Sequence, residues 1–85
     1  MKNNGKPMHP ISKLRKEKKL SQNEFGVLVG QSGMRIAQFE GGYQPVPFSV
    51  YYKIFECFEI PPEDFQQEVD QYNVEYREYL IANKV

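Results

Sequence analysis

The chain has 85 residues, 26% of them charged and 14% aromatic, with eleven basic and eleven acidic side chains and a formal net charge of zero. A chain this short buries only about 60% of its unfolded surface, so one domain with a modest core, and no second one, is expected. No apolar run approaches the length of about 20 residues that a membrane helix needs, and no signal-peptide stretch opens the chain, so a cytoplasmic protein without membrane contact is expected. Cys57, the one cysteine, has no partner for an internal disulfide and lies in an apolar stretch, where packing in a reducing compartment is its expected role. Zero net charge conceals a polarity: residues 1–42 hold eight Lys/Arg against three acids, +5, and residues 43–85 hold three against eight, −5. Such a field would orient the basic half toward a phosphate backbone.

In chain order, residues 1–9 are polar, contain Gly5 and Pro7, and read as a flexible arm that includes His9. Pro10 suits the first turn of a helix over 10–19, with Ile11 and Leu14 inward. Ser21-Gln22-Asn23-Glu24 forms a capping box: the serine oxygen accepts from the Glu24 amide while the Glu24 carboxylate reaches back to the Ser21 amide. A second helix over 22–29 follows, with Phe25, Leu28 and Val29 inward and Gly26 small where the next helix crosses. Gly30 ends it, because a residue just past a helix C-terminus often takes a positive φ. Ser32 caps a third helix over 33–40, whose inner face is Ile36 and Phe39 and whose outer face is Gly33, Met34, Arg35 and Gln38. Two short helices meeting at a tight turn make a helix-turn-helix.

Pro47 opens a fourth helix over 47–58 with Val50, Tyr51, Ile54, Phe55 and Phe58 on its apolar face. Pro61-Pro62 forces a break, and a fifth helix begins near Pro62 with Glu63 and Asp64 in its first turn, where the helix dipole favours acids. From Phe65 the spacing Phe65, Val69, Tyr72, Tyr76, Tyr79/Leu80 puts one aromatic stripe on one helical face. The expected organisation is an arm at 1–9, a core domain at 10–65 and a helical extension at 66–85. A second copy is the simplest cover for the extension's stripe, which makes Tyr72, Tyr76 and Tyr79 the expected dimer interface. The competing expectation is that the tail folds back on its own helices.

On the residues from about Ile11 to Phe65, the chain resembles the DNA-binding domains of phage repressors and their xenobiotic-response-element-type relatives. Leu14-Arg15, Leu20-Ser21-Gln22, Ile36 through Gly42, Lys53-Ile54 and Glu63-Asp64-Phe65 carry the resemblance. It implies an all-α, five-helix repressor-like fold with an extended last helix, and a buried pair between Arg15 and Glu40 that ties helix 1 to the end of helix 3. Gln31 stands where the family usually has an aliphatic residue, and the loop 41–48 lacks the basic residues common there. The resemblance further implies a sequence-specific transcriptional regulator, a homodimeric repressor on double-stranded DNA of the kind that controls phage and other mobile elements.

With helix 3 in the major groove, the expected base contacts are Gln38 to adenine, Arg35 to guanine and Met34 to a thymine methyl, with Gly33 allowing close approach. Gln22, Gln31 and Ser32 are expected to hold phosphates at helix N-termini, with Tyr43 and Gln44 as weaker contributors. No metal-ligand spacing or glycine-rich phosphate loop is present, so no cofactor, small-molecule ligand or catalysis is expected. Regulation would come from concentration, degradation or a regulatory protein partner. The competing function is a protein-interaction module that keeps the scaffold and acts through the aromatic, acidic C-terminal helix.

Overall fold

The computed structural model describes residues 5–85; residues 1–4, with Lys2 and the start of the expected arm, lie outside them. The described residues form five helices and no strand: α1 (Pro10–Glu17), α2 (Gln22–Val29), α3 (Gly33–Glu40), α4 (Phe48–Phe58) and α5 (Pro62–Lys84). α2 and α3 coincide with the ranges their caps predict, because each begins at a serine whose oxygen binds a first-turn amide.

Helices α1, α2 and α3 end in the same way. At each, a residue takes a left-handed conformation, Lys19 (φ 60°), Gly30 (φ 74°) and Gly42 (φ 80°). The next amide then bonds the carbonyl five residues back: Leu20 to Arg15 at 2.9 Å, Gln31 to Gly26 at 2.9 Å and Tyr43 to Gln38 at 3.0 Å. Lys19 explains why α1 stops at Glu17 and not at 19. Glu59 (φ 61°) ends α4 in the same left-handed region. At the other end, α4 starts one residue later than expected, because Pro47 is extended and caps the helix from outside.

All five helices contribute to one core: Ile11 and Leu14, Phe25 and Val29, Ile36 and Phe39, Val50, Tyr51 and Ile54, then Phe65 and Val69. Burying a side chain of this size stabilises by about 1.5–3 kcal/mol, so the core outweighs any single cap. α2 packs on α3 and α4, and α1 packs on α3 and α5. The Phe25 and Phe58 rings stack with centroids 6.0 Å apart, joining α2 to α4.

Several expectations about facing need correction. Leu28 (39% exposed) and Phe55 (46% exposed) do not join the core their helices face. Cys57 is exposed, not packed, with its thiol 3.7 Å from the Leu28 carbonyl. His9, expected in a polar arm, is buried and caps α1: its Nδ1 accepts from the Ile11 amide at 3.0 Å. Tyr72, expected at a dimer interface, is covered by its own chain; its ring meets that of His9 at 4.7 Å and tilts by 60°. α5 is one unbroken helix across 65 and 66, about 34 Å long at the usual rise, so no structural break separates core from extension. Beyond Tyr72 its stripe is only partly covered: Tyr76 and Tyr79 are half-buried and stack in succession, and the Lys6 ammonium sits 5.2 Å over the Tyr76 ring.

Candidate nucleic-acid interface

The α2–α3 unit is held by local chemistry at each joint. The Ser21 oxygen accepts from the Glu24 amide at 3.0 Å, and the Glu24 carboxylate accepts from the Ser21 amide at 2.8 Å, so the capping box is closed. At the turn, a side chain on Gly26 would collide with the Gln31 carbonyl, so glycine is what lets the chain pass so close to α2. Ser32 then accepts from the Arg35 amide at 3.1 Å and starts α3.

A part-buried polar network fixes this unit to α1. Arg15 donates to Glu40 twice, Nε to Oε2 at 2.7 Å and Nη2 to Oε1 at 3.0 Å, and its Nη1 donates to the Leu20 carbonyl at 3.0 Å. Gln22 Nε2 donates to the same Glu40 Oε1 at 3.1 Å. One carboxylate thus joins α1, α2 and α3. Burial pushes the Glu40 pKa upward, but the hydrogen bonds from Arg15 and Gln22 and the Arg15 charge outweigh it and hold it below the ordinary carboxylate range. The hydrogen bond to Glu40 raises the Arg15 pKa further.

The residues expected at bases occupy different settings. Met34 is 73% exposed, and Arg35 is exposed with its guanidinium 5.3 Å over the Phe39 ring; neither is held by an acid among the described residues. Arg35 thus keeps its planar fork of donors available. Gln38 is half-buried one turn later on the same helix. Gly33 differs from expectation: the room left by its missing side chain is filled by the side chain of Asn23 on α2. Asn23 is exposed, and sequence reasoning passed over it as an ordinary helix residue. The signal was a glycine at the first position of α3, which requires something to approach there.

The expected phosphate-holding residues also divide. Ser32, Tyr43 and Gln44 are exposed, and Gln31 is half-buried with its carbonyl against Gly26. Gln22 is half-buried and its amide nitrogen is taken by Glu40, so its first role is to extend the part-buried network. Lys13, Lys16, Lys18 and Lys19 are exposed at and after α1, with the Lys18 ammonium 5.9 Å over the Phe58 ring. Chemically, these residues offer a guanidinium, side-chain amides, a thioether and serine and lysine donors on a helical frame.

Among the described residues no helix is long and apolar enough to cross a membrane, and no group of His, Cys, Asp or Glu is placed to hold a metal ion. Comparison of the chain with family models, with curated proteins and with solved structures gives no match.

Proposed function

We propose that the chain is a sequence-specific binder of double-stranded DNA that regulates transcription, with a repressor-like helix-turn-helix in which α3 enters the major groove. The observation that carries this reading is the α2–α3 unit: two eight-residue helices closed by a capping box, a left-handed glycine and a serine cap, with Met34 and Arg35 exposed on α3. Arg35 reads guanine, Gln38 reads adenine and Asn23, seated against Gly33, adds an amide beside them. Exposed lysines and serines hold phosphates.

In this reading the protein is a homodimeric repressor on an operator with two related half-sites about one helical turn apart. Exposed Phe48, Tyr52 and Phe55 on α4 and half-buried Tyr76 and Tyr79 on α5 supply apolar surface for a partner, with Tyr72 withdrawn into the fold. Control of a phage or other mobile element suits a chain of this kind. No catalytic step and no cofactor belong to it.

The test is titration of fluorescent duplexes, from DNA flanking the gene and from a scrambled control, at two salt concentrations. The Arg35→Ala/Gln38→Ala variant should stay folded by circular dichroism and lose at least about 30-fold in affinity for the native duplex, at about 1–3 kcal/mol per bidentate contact. The salt slope should change by about 0.9 per phosphate contact. Equal weak binding to both duplexes, unchanged in the variant, overturns the reading. It would favour the second one, a protein-interaction module acting through the aromatic, acidic C-terminal helix, for which the partly covered stack of Tyr76 and Tyr79 is the observation.

A further inference from the structure

An open cleft of about 370 Å³ lies between the loop 42–46 and the first half of α5. That volume lies within the range of small-molecule sites. Its buried floor is His9, Tyr51 and Tyr72, and Tyr43, Asp70 and Asn73 stand around it. The cleft's lining is uniform in electrostatic sign. Asp70 supplies a carboxylate that makes no ion pair among the described residues, and no Lys or Arg lines the cleft. Asp70 lies close enough to Tyr51 to help burial raise the Tyr51 pKa. His9 adds no positive charge at neutral pH, since burial lowers its pKa to about 4, against a smaller upward pull from Glu40.

Two further features point to an occupant. The Tyr72 hydroxyl is buried and has no hydrogen-bond partner among the described residues, whereas buried polar groups in native proteins are nearly always paired. It lies beside Gly42, where a side chain's first carbon would come within 3.1 Å of it. A carboxylate without a counter-charge beside aromatic side chains, of which Tyr43 is exposed, is a combination that attracts an organic cation.

We propose that this cleft binds a small organic ammonium ion, with its charged head at Asp70 and its body against Tyr43, Tyr51 and Tyr72. An N–H of the head donates to the Asp70 carboxylate, which is exposed at the cleft. An anion would meet Asp70 without a counter-charge, and a neutral ligand would leave Asp70 unused. The site stands independently of whether α3 reads DNA. It does adjoin α3, because the Tyr43 amide in its wall bonds the Gln38 carbonyl at 3.0 Å.

The test is an amide chemical-shift titration of the full chain at pH 7 and constant ionic strength, with phenethylammonium and with its uncharged counterpart 2-phenylethanol. Saturable shifts are expected at 42–46 and 69–73 with phenethylammonium, with affinity at least ten-fold weaker for the alcohol and for Asp70→Asn. Glu63→Gln, on the same helix and outside the cleft, should leave affinity unchanged. Because Asp70 is exposed, its variant keeps the remaining spectrum and reports on binding alone. Absence of saturable shifts overturns the proposal, as does equal affinity for the alcohol or for Asp70→Asn.

Discussion

Residues 9–42 and residues 47–85 are both helical, yet they are held by different means. Each helix of the first region has a side-chain cap, from His9, Ser21 or Ser32, and all three are terminated by the same backbone pattern. Their mutual positions are fixed by the polar network around Glu40. α4 and α5 have proline at the cap position and no side-chain cap bond, and they keep their places by burying Val50, Tyr51, Ile54, Phe65 and Val69. Directional bonds make a short unit rigid, as a surface that reads another molecule needs. Apolar burial is less directional, and it leaves Phe48, Tyr52 and Phe55 exposed along α4.

The comparison is broken most directly at its polar centre. Glu40→Ala leaves the part-buried Arg15 guanidinium without its carboxylate and Gln22 without its acceptor, and should cost about 1.5–3 kcal/mol in urea denaturation, a large share of the stability of so small a domain. A loss below about 1 kcal/mol would mean that packing alone holds the first region. DNA affinity lost in this variant would report unfolding and not a contact.

His9 makes the cap of α1 depend on pH. The unfolded chain takes this proton near 6.5 and the folded one near 4, so between those values the unfolded state binds more protons and stability falls as pH falls. The contribution is fully present above pH 6.5, and the loss approaches about 3 kcal/mol as pH reaches 4. Protonation of Nδ1 also removes the acceptor for the Ile11 amide. His9→Asn keeps a capping acceptor without a titration in this window, so its stability should be flatter between pH 6.5 and 4 in parallel urea titrations.

Smaller effects sharpen the contrast. Ser21→Ala opens the capping box and should cost about 1 kcal/mol, shifting the urea midpoint without changing the slope. In the second region, Glu59→Gly removes the strain of a left-handed non-glycine residue. After allowance for the freer unfolded chain, it should gain about 0.5 kcal/mol, or roughly 3 °C in thermal melts.

Legibility followed the same division. The starts of α2 and α3 and the stop at Gly30 were readable because each depends on residues two to five positions apart. The stop at Lys19 was not, since lysine carries no sign of a left-handed residue and the Leu20 amide merely finds the Arg15 carbonyl. Of the candidate interface, the exposure of Met34 and Arg35 followed from helical spacing. The seating of Asn23 on Gly33 and the engagement of Gln22 by Glu40 did not, because each joins residues of different helices.

By itself, then, the sequence determined an all-helical chain, the starts of α1, α2, α3 and α5, and a basic half set against an acidic one, all of which rest on neighbours along the chain and on composition. Tertiary structure decided that His9 and Tyr72 meet in the interior, that Leu28, Phe55 and Cys57 stay exposed, and that a cleft opens beside Asp70. Spacing specifies which side chains share a face of a helix. How far that face is covered depends on where the next helix ends, and that is set by the packing of the whole core.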